Sequence, residues 1–187
     1  MNLHQLLEEM WNDYTALNPA AKNIHDLLTA QGEKVLNDHI ALRTYNLEPV
    51  GLDRIAAPFL KFGYKPCGEY HFKEKKLFAR HYEPEDMNLP KIFISELLVE
   101  RFSPGLQTIV KKLVQQVDPK KVEDPRFVYS GRPWDVDFKD YEVLAKESEY
   151  ASWMAAFGYR PNHFTVNVNA LKKFPNLSDL NDFLQAN

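Results

Sequence analysis

Apolar positions recur at helical spacing over the first 31 residues. Leu6, Leu7, Met10, Trp11, Tyr14 and Leu17 make one stripe. After Asn18-Pro19 a second stripe, Ile24, Leu27 and Leu28, runs to Gly32. The period then shortens to two. Residues 39–45 predict a strand, 52–62 a helix stopped by Gly63, and 64–72, 77–82 and 92–99 three further strands between charged or Pro-containing turns. Residues 104–117 predict a helix, 118–134 a connecting loop, and 141–157 one long helix ended by Gly158 and Pro161. The first pattern then restarts, with a strand over 162–169 and a helix over 177–184.

The order strand, helix, strand, strand, strand buries one sheet face against its helix. The expected class is therefore α+β, organised as one domain. Residues 1–36 form N-terminal helices, 37–100 a first βαβββ unit, 101–160 a helical connection and 161–187 the start of a second unit. That second copy lacks three strands of the first, and a strand with one helix leaves sheet edges unpaired. The expectation is that the chain is a fragment or that a partner supplies the strands, which keeps an oligomer open.

Composition narrows the classes. The 187 residues are 44% hydrophobic and 26% charged, the balance of a soluble globular domain that can bury its own core. A net charge of −3 provides no basic field for nucleic acid or anionic lipid. No apolar run is long enough to span a membrane. The start, Met1-Asn2-Leu3-His4, turns acidic at Glu8 and Glu9 rather than basic and then apolar. The single cysteine, Cys67, has no partner for an internal disulfide. These features predict a cytoplasmic protein.

Six histidines are present, and no pair has a familiar local metal spacing such as His-Glu-x-x-His. Any metal site must be assembled from distant segments. In Asn37-Asp38-His39-Ile40-Ala41-Leu42-Arg43-Thr44, strand alternation puts His39, Ala41, Arg43 and the following Tyr45 on one face and Ile40, Leu42 and Thr44 on the other. His39 and Arg43 then lie roughly 13 Å apart at Cα, within reach of one ligand between them. In Pro161-Asn162-His163-Phe164-Thr165-Val166-Asn167-Val168-Asn169, His163, Thr165, Asn167 and Asn169 share a polar face that faces either solvent or a cavity, and Phe164, Val166 and Val168 share the apolar one.

Two neutral imidazoles on adjacent strands suit Zn or Fe(II) with at least one further ligand. Glu96, inside the apolar run Phe93-Ile94-Ser95-Glu96-Leu97, is the best acidic candidate; the competing reading is a buried structural carboxylate. His4, His25, His71 and His81 are read as surface or packing residues. Cys67 lacks a cationic cluster or a base and does not read as a nucleophile.

The two histidine segments in this order, with Phe93-Ile94-Ser95-Glu96-Leu97, the Met10-Trp11 region and the stretch from Tyr150 to Trp153, resemble the 2-oxoadipate dioxygenase/decarboxylase (hydroxyglutarate synthase) family over nearly the whole chain. The resemblance implies a vicinal-oxygen-chelate fold, a bowl of repeated βαβββ units around a metal. It implies Fe(II) held by two histidines and a glutamate, with His39 and His163 as the histidines and Arg43 as the substrate-binding arginine. It also implies conversion of 2-oxoadipate and O2 to 2-hydroxyglutarate and CO2, a step of lysine breakdown. The family's glutamate lies downstream of the second histidine, and no residue of this chain matches it. Another metal-dependent enzyme on the same fold, an isomerase or hydrolase, and a non-catalytic small-molecule binding protein are the alternatives.

Overall fold

A computed structural model describes all residues 1–187. Helix α1 (Leu3–Leu17) opens with a capping box in which Asn2 and Gln5 exchange side-chain-to-backbone bonds, each 2.9 Å. Helix α2 (Pro19–Ala30) follows, with proline at its first position. Then come β1 (Asn37–Tyr45), α3 (Leu52–Lys61), β2 (Lys65–Phe72), β3 (Leu77–Glu83) and β4 (Lys91–Leu97). Helix α4 (Pro104–Val114) and the short α5 (Pro119–Val122) lead to α6 (Phe138–Glu147) and α7 (Glu149–Phe157). The chain continues through β5 (Pro161–Val166) to α8 (Leu177–Ala186).

The five strands form one sheet in the order β2-β3-β4-β1-β5. β1 runs parallel to β4, as the crossover through α3 requires, and antiparallel to β5. The register aligns Ile40 with Ile92, Leu42 with Ile94 and Thr44 with Glu96. Ile40, Leu42, Ile92 and Ile94 are all at most 2% exposed and pack in one core with Leu6, Met10 and Phe59 from the helices. Each such side chain contributes about 1.5–3 kcal/mol by leaving water. On β5, Phe164 turns to the same side, against Trp11 and Tyr14 at 5.1 Å between ring centres. Helices therefore back one face of the sheet. The other face, with His39, Ala41, Arg43 and His163, forms a bowl.

Three sequence expectations need correction. The stretch 141–157 is two helices, because Ser148 takes an extended backbone (φ −151°, ψ 109°) and its hydroxyl accepts from the Ala151 N–H at 3.1 Å. A serine that caps a new helix competes with continuation of the old one. The segment 118–134 is not a bare loop: α5 and a 3-10 turn (Pro125–Tyr129) start on Asp118 and Asp124, whose carboxylates accept from Lys120 and Arg126 N–H groups at 2.9 Å. β5 ends at Val166, and Val168–Ala170 turn as a 3-10 helix.

A small second core holds the C-terminal segment, with Leu171, Phe174 and Leu180 packed on Leu28. Glu33 fastens it. Its carboxylate, 6% exposed, accepts from the backbone N–H of Lys172 at 3.0 and 2.9 Å and of Lys173 at 2.5 Å. These bonds hold its pKa below the ordinary 4.5. A carboxyl depressed in the folded state stabilises fully above its unfolded pKa and loses that contribution as pH falls through the folded one. Amide protection at Lys172 and Lys173, corrected for intrinsic exchange, should therefore fall as pH drops below about 4.5. Glu33→Gln should remove that dependence; an equal acid response in the variant would show that another group controls the segment.

Candidate functional site

β1 and β5 are neighbours, with Ala41 opposite His163. His39 and His163 therefore sit diagonally across the pair on the bowl face. Their rings meet edge to face with centres 5.4 Å apart, and the two Nε2 atoms are 3.4 Å apart. Each Nδ1 already has a partner. That of His39 lies 2.8 Å from the Asp38 carboxylate and 2.9 Å from the Thr165 hydroxyl; that of His163 lies 2.9 Å from the Asn162 side-chain oxygen.

An oxygen acceptor on Nδ1 places the proton there and leaves the Nε2 lone pair free. Burial lowers the pKa of His163, and the neighbouring His39 and the Arg43 guanidinium lower it further. The site thus presents two ring nitrogens facing each other. Donors that bind one metal at ~2.1 Å can be at most about 4.2 Å apart, and this pair meets that limit. No third histidine, cysteine, aspartate or glutamate ligand atom of the chain joins them within 4.8 Å.

Arg43 is half-buried two residues beyond Ala41 on the same face. Its guanidinium lies 4.8 Å from the Tyr150 ring centre and 4.9 Å from that of Trp153. These two residues of α7 grip it by cation–π contact. Its Nη1 is buried without a hydrogen-bond partner, and no carboxylate pairs with it. Burial lowers its pKa, an effect that Tyr150 and Glu149 oppose, and arginine stays charged regardless. Arg43 and His163 line one cavity of about 450 Å³ with Phe93, Ser95 and Tyr150. His39, its side chain 31% exposed, stands beside that cavity rather than in its wall.

Tyr150 also fixes the strands beneath. Its hydroxyl accepts from the Thr44 N–H at 3.0 Å, lies 2.6 Å from the Ser95 carbonyl to which it donates, and meets the Ser95 hydroxyl at 3.1 Å. Sequence reasoning assigned no role to Tyr150 or Trp153. Their i, i+3 spacing on one helix face was the available signal. The break at Ser148 brings Glu147, Ser148 and Glu149 to the cavity wall.

Glu96 is not at this site. It pairs in register with Thr44, on the helix-backed face, and its carboxylate accepts from the Leu52 N–H at 2.9 Å. The α3 N-cap, Gly51, has no side chain to satisfy that first turn, so a strand residue does it. Burial raises the Glu96 pKa despite the bond. A carboxyl raised in the folded state opposes folding once ionised, and this loss grows as pH rises. Glu96→Gln, which keeps the oxygen acceptor, should leave stability at neutral pH unchanged or slightly higher. Glu96→Ala should cost about 1 kcal/mol. Denaturant midpoints check both. Reduced metal affinity in Glu96→Gln would contradict this placement.

A two-histidine bowl with a half-buried arginine that no carboxylate pairs, on a βαβββ sheet, defines a vicinal-oxygen-chelate type of domain. The 2-oxoadipate dioxygenase/decarboxylase family model matches residues 2–183, so the chain belongs to that family. The chloroplastic 2-oxoadipate dioxygenase/decarboxylase of Arabidopsis thaliana is 33% identical over 96% of this chain. The chain spans about half the length of the curated relatives it matches, 53% and 54%.

Among solved structures, a Shewanella frigidimarina NCIMB 400 protein provisionally described as a hydrolase superposes with TM-score 0.96 at 47% identity, over 99% of this chain and 72% of that one. Hydroxyglutarate synthase from Oryza sativa, in complex with 2-oxoadipate, gives TM-score 0.90 at 33% identity, over 97% of this chain and 63% of that one. A Ralstonia eutropha JMP134 protein provisionally placed in the glyoxalase superfamily gives 0.66 at 25% identity, over 90% of this chain and 61% of that one. No helix of the chain is long and apolar enough to cross a membrane.

Proposed function

We propose that this chain carries the metal and substrate-anchoring half of an Fe(II)-dependent oxygenase that converts 2-oxoadipate and O2 to 2-hydroxyglutarate and CO2, as a step of lysine breakdown. The observation that carries this reading is the pairing of facing histidine nitrogens with a half-buried guanidinium whose buried Nη1 has no partner. A buried guanidinium nitrogen without a partner is costly unless a ligand supplies one, and a dicarboxylic acid would bring it.

His39 and His163 would hold the metal, joined by a carboxylate from beyond these two strands. When bound, the metal supplies a Lewis acid and an electron source for O2 chemistry on a 2-oxo acid. Arg43 would take the distal carboxylate in a paired-donor fork. Tyr150 and Trp153 hold the guanidinium in position before substrate arrives, so little ordering is left to binding. Asp38, Thr165 and Asn162 keep the Nδ1 protons in place and so keep both Nε2 atoms available. The apolar rings of Phe93 and Phe102 narrow the cavity and limit the water beside the reacting group.

The cytoplasmic setting expected from the sequence belongs to this proposal; the plant relatives are named as chloroplastic. Product analysis tests the reaction. Fe(II)-loaded protein given 2-oxoadipate should yield 2-hydroxyglutarate and CO2 only when O2 is present. Product formed equally without O2 would favour a hydrolase or isomerase on the same fold.

A further inference from the structure

We propose that the β2–β3 side of the bowl carries a second metal site, for a Zn(II)-class ion, built from Cys67, His81 and Glu83. One ligand atom from each of the three lies within 4.8 Å of the others. The site is separate from the histidine pair. His81, Phe93, Ala41 and His163 align in one row across β3, β4, β1 and β5, so three strand spacings, roughly 14 Å, separate the two histidines along the sheet.

The local backbone is arranged for it. His81 and Glu83 are two residues apart on β3 and share a face. Cys67 in a regular ladder would sit opposite His81, but the register slips between Pro66, opposite Tyr82, and Gly68, opposite His81. Cys67 is thus the extra residue of a β-bulge, a device that re-aims a side chain, and its thiol joins the other two groups. Gly68 makes room for the imidazole: a Cβ there would stand 2.8 Å from His81 Cε1 and 2.9 Å from Nδ1. The Tyr70 hydroxyl lies 2.9 Å from His81 Nδ1, and Nε2 points to Glu83 at 3.3 Å. With Nδ1–H donated to Tyr70, Nε2 carries the lone pair that a metal needs.

Sulfur, nitrogen and carboxylate oxygen together select Zn(II) over hard cations, with the fourth position left to water. Thiolate and carboxylate charges match a divalent ion. Binding replaces the thiol proton by the S–metal bond and releases that proton to solvent, so affinity should rise with pH. Lys91 Nζ, 2.9 Å from Glu83 Oε1, is the competitor the ion must displace or share.

Co(II), a spectroscopic stand-in for Zn(II), tests the site because only a sulfur ligand yields a thiolate-to-cobalt absorption band in the near ultraviolet. Titration of the chain should give one equivalent of that band, and Zn(II) should compete it away. Cys67→Ser, at an exposed edge-strand position, should abolish it. Gly68→Ala should weaken Co(II) binding at least ~10-fold by displacing the ring, the scale of losing a supporting partner. The band should persist in His163→Ala, which disables the other site, so failure here and failure of the oxygenase reading are distinguishable. Absence of the band in the unaltered chain, or its full persistence in both His81→Gln and Glu83→Gln, would overturn the proposal.

Discussion

His163→Ala should abolish tight Fe(II) binding, and any O2-dependent turnover with it. A single altered hydrogen-bond partner of a metal-bound histidine costs roughly 10–100-fold in affinity, so loss of a ligand nitrogen should exceed that. Anaerobic Fe(II) titration measures it. The ring is only partly buried at the bowl surface, so removing it leaves the core of Ile40, Leu42, Ile92 and Ile94 intact, and thermal unfolding should move little. Thr165→Val is the milder companion. It removes the hydroxyl beside His39 Nδ1 but leaves Asp38 in place, so its loss should fall inside the 10–100-fold range. Undiminished Fe(II) affinity in His163→Ala would place the metal elsewhere.

Arg43→Met should leave Fe(II) affinity unchanged and weaken 2-oxoadipate binding by about 1.5–3 kcal/mol, roughly 10- to 150-fold, the scale of hydrogen bonds to a charged group. Arg43→Lys should recover little. An ammonium keeps the charge, but it cannot present a planar fork or lie flat between Tyr150 and Trp153. Comparison with 2-oxohexanoate, in which a methyl replaces the distal carboxylate, isolates the contact. The unaltered protein should bind it weakly, and Arg43→Met should weaken it no further, as a double-mutant cycle requires for one shared interaction. Equal losses for both ligands would show that Arg43 acts through the fold or on the 2-oxo acid end.

Much of this site was legible because strands alternate strictly. The polar set on β1 and the polar set on β5 each had to share a face, and the apolar sets between them had to be covered; Phe164 against Trp11 is that rule in practice. The order of elements also carried the first unit. Alternation could not reveal which strands become neighbours, so the 3.4 Å meeting of two nitrogens 124 positions apart comes from the sheet order.

Ser148 was missed because helical periodicity runs through the residues on both sides of it, while its capping bond is a local competition that periodicity does not register. Glu96 looked eligible as a ligand only while its face was unknown. Register with Thr44 puts it behind the sheet, where it serves α3. The grip of Tyr150 and Trp153 on Arg43 spans more than a hundred residues of chain and exists only once α7 packs over β1.

The central claim is that the His39–His163 pair supports O2 chemistry on a 2-oxo dicarboxylic acid. Oxygen uptake tests it most directly. Fe(II) and 2-oxoadipate would be given under air to the 187-residue chain and to the product of the gene's whole reading frame, each with and without His163→Ala. The expected result is O2 consumption matched to CO2 release in at least one of the two proteins, abolished by a chelator and by His163→Ala. Uptake by the longer product alone would mean that the completing carboxylate lies outside residues 1–187. No uptake by either protein, or uptake unaffected by His163→Ala, would contradict the claim.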